Sequence, residues 1–125
     1  MNRLHFVVCA GLLLAGLDPA AAADPSVEAG RKIFQRNCQT CHGGTGPAAS
    51  KIGPDLAGII GRKAGTGSSG VHSRLNVESG EVWTRSSLRR YLSDPGREIP
   101  GTLMSTGVRD PKELEDLLDF LETLR

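Results

Sequence analysis

At 125 residues, 38% hydrophobic and 23% charged, the chain has room for one small domain and no more. A formal net charge of +1 points to no strongly charged partner and gives no sign of nucleic-acid binding. Five aromatic residues and three cysteines leave few side chains able to carry specialised chemistry, so the few that can are informative by position.

Residues 1–23 read as a secretory signal. Arg3 and His5 form a short basic start, an apolar run extends from Phe6 to Leu17, and Ala20-Ala21-Ala22-Ala23 supplies the small residues of a cleavage site before Asp24. The apolar run is too short to cross a hydrocarbon layer of about 30 Å, and bulky Val8 before Cys9 argues against a lipid-anchored cysteine. The expectation is an exported domain over residues 24–125 with no stable membrane insertion once the signal is removed. That removal takes one basic and one acidic residue, so the net charge stays at +1.

Asp24-Pro25 is a helix opening, with aspartate as N-cap and proline at the first helical position, and Val27, Gly30, Ile33 and Phe34 recur at helical spacing. From about Gly43 to Gly80 glycine, serine and proline are frequent and apolar periodicity fades, which predicts a long loop. Thr84 starts a short helix with Leu88, Tyr91 and Leu92 on one face, ended by Asp94-Pro95. After a second loop, Asp110-Pro111-Lys112-Glu113 reads as a capping box, and Leu114, Leu117, Leu118, Leu121 and Leu124 form an apolar stripe to the end. The segment after Met104 holds six carboxylates against Arg109, Lys112 and Arg125, which predicts an acidic end; such an uneven field can orient a partner, although a charge run on a helix is more often a solvated face.

Three modest helices and much loop make a poor core for a domain of this size, so a large apolar group is needed to fill the middle. Cys38-Gln39-Thr40-Cys41-His42 names it: the C-x-x-C-H pattern is the attachment signature of c-type haem. Two thiols three positions apart can each add to one vinyl group of the porphyrin, and the adjacent histidine then lies beneath the iron. A disulfide, a thioredoxin-like couple or half a zinc site are the alternatives. Zinc lacks ligands, because after residue 23 only His72 accompanies these residues, and a thioredoxin-like site expects surrounding strands. For the sixth iron position the candidates are Met104, the one methionine after residue 23, then His72, then no protein ligand at all. Met104 stands in the polar loop Pro100-Gly101-Thr102-Leu103-Met104, where packing alone would hardly call for it.

With these residues placed, the chain resembles the class I cytochromes c. The resemblance rests on Cys38, Cys41, His42, Gly30, Phe34, Gly53-Pro54-Asp55-Leu56, Gly61-Arg62-Lys63, Trp83-Thr84, Tyr91-Leu92, Pro95, Pro100-Gly101-Thr102 and Met104. It implies an all-α class I cytochrome c fold, three to five short helices wrapped around one covalently bound haem c, with Cys38 and Cys41 attached to the haem and His42 and Met104 on its iron. It also implies that the Pro54 carbonyl orients His42, that Trp83 and Arg62 help hold a haem propionate, and that Tyr91 lies near the methionine sulfur. His72 stands where the family's mitochondrial members have a propionate-binding tyrosine. Asn37, Gly96 and Leu103 stand where those members have lysines, and Ser105 and Thr106 where an aromatic residue is usual, so the mitochondrial partner set is not implied.

The function these features predict is a soluble periplasmic one-electron carrier with no catalytic residues. It would pass electrons between a redox protein donor and acceptor, as a monomer or as a subunit of a redox complex, with Leu103 on the docking surface. The alternatives are a dedicated cytochrome subunit of a dehydrogenase, or a small peroxidase or sensor with an open sixth position.

Overall fold

The computed structural model describes residues 24–43, 52–67 and 72–125, so the expected signal over residues 1–23 lies outside the described residues. Six helices follow in order: α1 (Pro25–Asn37), α2 (Gln39–His42), α3 (Arg74–Glu78), α4 (Arg85–Ser93), α5 (Pro95–Glu98) and α6 (Pro111–Thr123). Among the described residues there is no strand, only an isolated antiparallel bridge between Lys63 and Val82. No described helix is long and apolar enough to cross a membrane.

The long helices begin where local chemistry dictates. Asp24 accepts a hydrogen bond from the Ser26 N–H at 2.9 Å with Pro25 at the first position of α1, and Asp110 accepts from Glu113 N–H at 2.8 Å before Pro111 of α6. The Glu113 carboxylate, the expected second half of that capping box, reaches Arg36 of α1 at 2.9 Å. Thr84 and Ser87 form a reciprocal capping box that opens α4. Asp94 both ends α4 and caps α5, whose Pro95 cannot continue a helix.

Six helices are one more than the expected three to five, and α3 and α5 interrupt the predicted loops. Each is about one turn long, too short to show an apolar period, which is why sequence pattern gave no sign of them.

Helix α1 crosses α6 at Gly30. A Cβ built there would stand 1.9 Å from the Asp116 carbonyl oxygen, so the two backbones meet with no side chain between them. Phe34 and Phe120 pack beside the crossing with ring centroids 5.4 Å apart, and the Arg31 guanidinium lies 5.8 Å from the Phe120 centroid. Leu117 and Leu118 of α6 are the largest fully buried side chains among the described residues. Helix α4 joins α6 in the common core and through ion pairs: Arg85 meets Glu115 at 2.9 Å, Asp119 at 2.7 Å and Glu122 at 3.1 Å, while Arg89 meets Glu115 at 2.6 Å. Lys112 pairs with buried Asp116 at 2.7 Å. The predicted acidic end is therefore corrected: its carboxylates are there, but Arg36, Arg85, Arg89 and Lys112 neutralise most of them in place.

Two outcomes follow from these contacts. In an open helix, replacing glycine by alanine stabilises by about 1 kcal/mol, but Gly30→Ala should lower the unfolding free energy of the holoprotein by about 3 kcal/mol through overpacking. A denaturant midpoint that stays or rises would contradict the crossing. The hydrogen bonds of Arg89 and then Arg85 hold the Glu115 carboxyl at about 2, against its usual 4.5. Because the folded value is depressed, this contribution is full above pH 4.5 and is lost as pH falls towards 2. Glu115→Gln should therefore cost about 1 kcal/mol near neutrality, the pair being half-exposed, and the gap from the unaltered chain should close across that acid window. A gap independent of pH would be the contrary result.

Candidate functional site

The end of α1, helix α2, the 52–67 segment, α3, α4, the loop before α6 and α6 itself enclose one cavity of about 420 Å³. That is within the range of cofactor sites. Its walls are mainly apolar, with Phe34 from α1, Ile59 and Trp83 from the loops, Leu88 from α4, and Leu117 and Leu121 from α6. Trp83 is fixed by packing on Tyr91, ring centroids 5.0 Å apart, and by backbone bonds to the Gly61–Arg62 strap: Gly61 N–H donates to Trp83 O at 2.7 Å and Trp83 N–H to Arg62 O at 2.9 Å.

All four residues expected to bind the cofactor line this cavity: Cys38, Cys41, His42 and Met104. Cys38 is buried and Cys41 exposed, and no disulfide joins them. Burial, with the neighbouring Cys41 adding to it, pushes the Cys38 thiol up to about 11, so the free side chain is a neutral thiol at physiological pH. Helix α2 carries Cys41 and His42 directly after Cys38, and its last residue is followed by Gly43 at φ 59°.

The orientation of His42 is set by the next strand of chain. Its Nδ1 lies 2.9 Å from the Pro54 carbonyl oxygen. A carbonyl can only accept, so Nδ1 carries a proton and, in the neutral ring, Nε2 holds the lone pair. Gly53 makes this approach possible: a Cβ there would stand 2.8 Å from His42 Cε1 and 2.9 Å from Nδ1. Pro54 thus holds the position expected of it, and the need for Gly53 beside it becomes visible only in three dimensions.

Met104 is half-buried against the core. Its N–H donates to Thr102 Oγ1 at 3.3 Å, and Thr102 Oγ1 is 2.6 Å from the Tyr91 hydroxyl. Tyr91 therefore reaches the methionine segment through Thr102. Asn76 of α3 donates from Nδ2 to the same two oxygens, at 3.3 and 3.4 Å, while its Oδ1 is buried without a hydrogen-bond partner on the cavity wall. Nothing in the sequence pattern singled out Asn76, because its role depends on α3 being folded.

Arg62 and Lys63 are the charged residues of the described lining, and no carboxylate accompanies them. The Arg62 guanidinium donates to the Ala57 carbonyl at 2.9 Å and to the Asp55 carbonyl, so it is tied to the wall rather than loose at the surface. Burial lowers its pKa, with nearby Asp55 opposing that shift. His72 also lines the cavity; its Nε2 donates to the Gly67 carbonyl at 3.1 Å and leaves Nδ1 for any further group.

An apolar cavity with two cations and no anion in its described lining, two thiols at one end and a thioether in the wall suits a flat apolar macrocycle bearing carboxylates. The residues present fit haem. The family model for cytochrome c matches residues 27–125. The chain belongs to the cytochrome c family. Cytochrome c2 of Blastochloris viridis is 39% identical over 113 residues, spanning 89% of this chain and 86% of that protein. Cytochrome c type-1 of Ascaris suum is 42% identical over 96 residues, spanning 76% of this chain and 85% of that one. Among solved structures, cytochrome cH from Methylobacterium extorquens superposes with a TM-score of 0.68 at 36% identity, covering 78% of this chain and 97% of that one. The all-α cytochrome c fold is thereby established, and with it haem c as the covalently attached, iron-containing cofactor and electron transfer as the activity.

The close approach at Gly53 is open to test in the holoprotein. Gly53→Ala should displace the His42 ring and lengthen its bond to Pro54, lowering stability by about 1–3 kcal/mol. Hydrogen exchange of the Nδ1 proton, followed by nuclear magnetic resonance, should speed up; an unchanged exchange rate would show that the ring does not depend on that contact.

Proposed function

We propose that this cytochrome is a periplasmic one-electron carrier in which Cys38 and Cys41 hold the haem through thioethers and His42 and Met104 are the axial ligands. When bound, the haem iron supplies one-electron chemistry with no substrate bond broken. The observation that carries the ligand assignment is the His42–Pro54 hydrogen bond: it leaves Nε2 unprotonated in the cavity that Cys38, Cys41 and Met104 also line. The same bond raises the basicity of the imidazole and fixes its ring plane, so a change of iron charge need not be accompanied by reorientation of the ligand.

Met104 is favoured over His72 for the sixth position. Its segment is held by the Thr102–Tyr91 pair, whereas His72 already commits Nε2 to Gly67. Held by a thioether and an imidazole, the iron would have a higher reduction potential than with more strongly donating pairs, and peroxide or gas would find no place to bind. That favours a carrier over an enzyme. Arg62 and Lys63 would neutralise propionate charge, and His72 would offer a propionate a hydrogen bond only through Nδ1. Export follows from the signal-like residues 1–23, and the redox partners would be extracytoplasmic proteins.

Spectroscopy separates these readings. Ferric holoprotein should show the weak long-wavelength band of methionine-ligated haem, and ferrous holoprotein should not bind carbon monoxide readily at neutral pH. Met104→Ala should remove the band, lower the reduction potential and admit carbon monoxide. Loss of the six-coordinate spectrum after His72→Ala but not after Met104→Ala would reverse the ligand assignment. Haem should also resist acid-acetone extraction, and the mature amino terminus should lie at or near Asp24; haem that washes out would defeat the thioether assignment.

A further inference from the structure

His72 lines the cavity without being needed on the iron, and its ring is held in place. The Gly67 carbonyl, 3.1 Å from Nε2, can only accept, so neutral His72 carries its proton on Nε2 and holds a lone pair on Nδ1. Gly67 is pressed close to the ring: a Cβ there would stand 3.1 Å from His72 Cε1, 3.3 Å from Nε2 and 3.2 Å from Cβ of Pro54. The next residue, Ser73, is buried, and its hydroxyl accepts the Asn76 N–H at 3.3 Å, which anchors the chain behind the ring at the start of α3. An imidazolium would still donate from Nε2 to Gly67. A proton can therefore reach or leave Nδ1 without the ring having to turn.

The titratable and charged groups that face the cavity with His72 are Arg62 and Lys63 of the strap, Tyr91 of α4, and Cys38, Cys41 and His42 at the α1–α2 end. Helix α3, which follows, carries Arg74 and Glu78. Asp55 is buried near Arg62, and its carboxylate accepts the Ala57 N–H at 2.9 Å. Arginine, lysine and tyrosine ordinarily titrate well above neutrality. With the cysteines as thioethers and His42 on the iron, His72 is the residue of the described lining whose charge can change between about pH 5 and 8. To a haem carboxylate in this cavity the neutral ring presents a lone pair, which repels it, and the cation an N–H, which gives a charge-assisted hydrogen bond.

We propose that His72 is a proton-binding site coupled to the redox state, so that this carrier takes up a fraction of a proton with each electron. The proposal rests on the electron-carrier reading and adds its regulation by pH. On reduction an electron arrives from the donor protein and a proton from water binds His72 Nδ1; on oxidation the electron passes to the acceptor and the proton returns to water. The sign follows from linkage. Lowering the charge at the iron by one favours a cation at His72, and a protonated His72 favours the electron by the same factor. The reduction potential is thus highest on the acid side, falls as pH rises between the ferric and ferrous titrations of His72, and is level above them.

The test is the reduction potential of the holoprotein across about pH 5 to 8, with the His72 Cε1–H resonance titrated by nuclear magnetic resonance in both oxidation states. A proton affinity about fivefold greater in the ferrous protein, the low end of coupling between sites, should lower the potential by about 40 mV from the acid to the alkaline level, at about 59 mV per tenfold for one electron. The His72 titration should be displaced between the two states by the same factor. His72→Gln keeps an N–H for the Gly67 carbonyl and cannot take the proton, so its potential should be level across the range. A level potential in the unaltered protein would overturn the proposal. So would a pH dependence that survives His72→Gln undiminished, or a His72 resonance that titrates identically in both states; this last measurement needs no variant to fold. The ferric band of methionine-ligated haem, recorded on the same samples, reports Met104 separately, so failure of the carrier reading is distinguishable from failure of the proton site.

Discussion

The crossing of α1 over α6 at Gly30 is the constraint on which the rest of the site depends. The end of α1 leads directly into Cys38, Cys41 and His42, and α6 supplies Leu117 and Leu121 to the opposite wall. The distance between those walls is therefore fixed by how closely two helices approach. With no side chain at residue 30, the Asp116 carbonyl can sit where a Cβ would be, and Phe34 and Phe120 close the space beside it. A small domain cannot both fill its centre with its own side chains and hold a macrocycle there. This chain resolves the conflict by making the helix contact at the periphery of the cavity very tight and leaving the centre open.

Within that frame, three polar side chains of the cavity are placed by backbone and not by other side chains. The Pro54 carbonyl orients His42, the Asp55 and Ala57 carbonyls hold Arg62, and the Gly67 carbonyl takes a hydrogen bond from His72. Backbone carbonyls do not titrate, so each of these side chains is held by a partner whose charge state is the same at every pH. The Asn76–Tyr91–Thr102 cluster differs: it links α3 and α4 to the segment bearing Met104 through side-chain hydrogen bonds.

Much of this was legible in the sequence for identifiable reasons. Asp24-Pro25 and Asp110-Pro111 state their helix starts through capping chemistry that needs no tertiary context, and the spacing of Cys38, Cys41 and His42, taken with the poor core and the lack of other metal ligands, points to the haem. Pro54, Arg62 and Tyr91 were legible only through the family resemblance, since a proline, an arginine and a tyrosine in isolation have many ordinary explanations. What could not be read depends on contacts distant in sequence. The single turns α3 and α5 have no periodicity to detect; Gly53 is explained only by the ring of His42, and Asn76 by the hydroxyls of Tyr91 and Thr102. The charge of the α6 segment could be counted in the sequence but its cancellation could not be seen, because the arginines that pair with it arrive from α1 and α4.

Arg85 shows what such cancellation means for how the sequence can change. Glu115, Asp119 and Glu122 occupy successive turns on one face of α6, an arrangement that repels itself when isolated, and one guanidinium meets all three. Loss of Arg85 alone exposes that repulsion, whereas in a chain that has already lost two of the carboxylates the same loss removes only one surface pair. The cost of a substitution at residue 85 is thus contingent on the history of three other positions, and the effects will not add. With neutral residues along this face the arginine could be exchanged at little cost, whereas the intact acidic ladder requires it. The order in which these four residues are exchanged, more than the identity of any one of them, determines which sequences along the way remain stable.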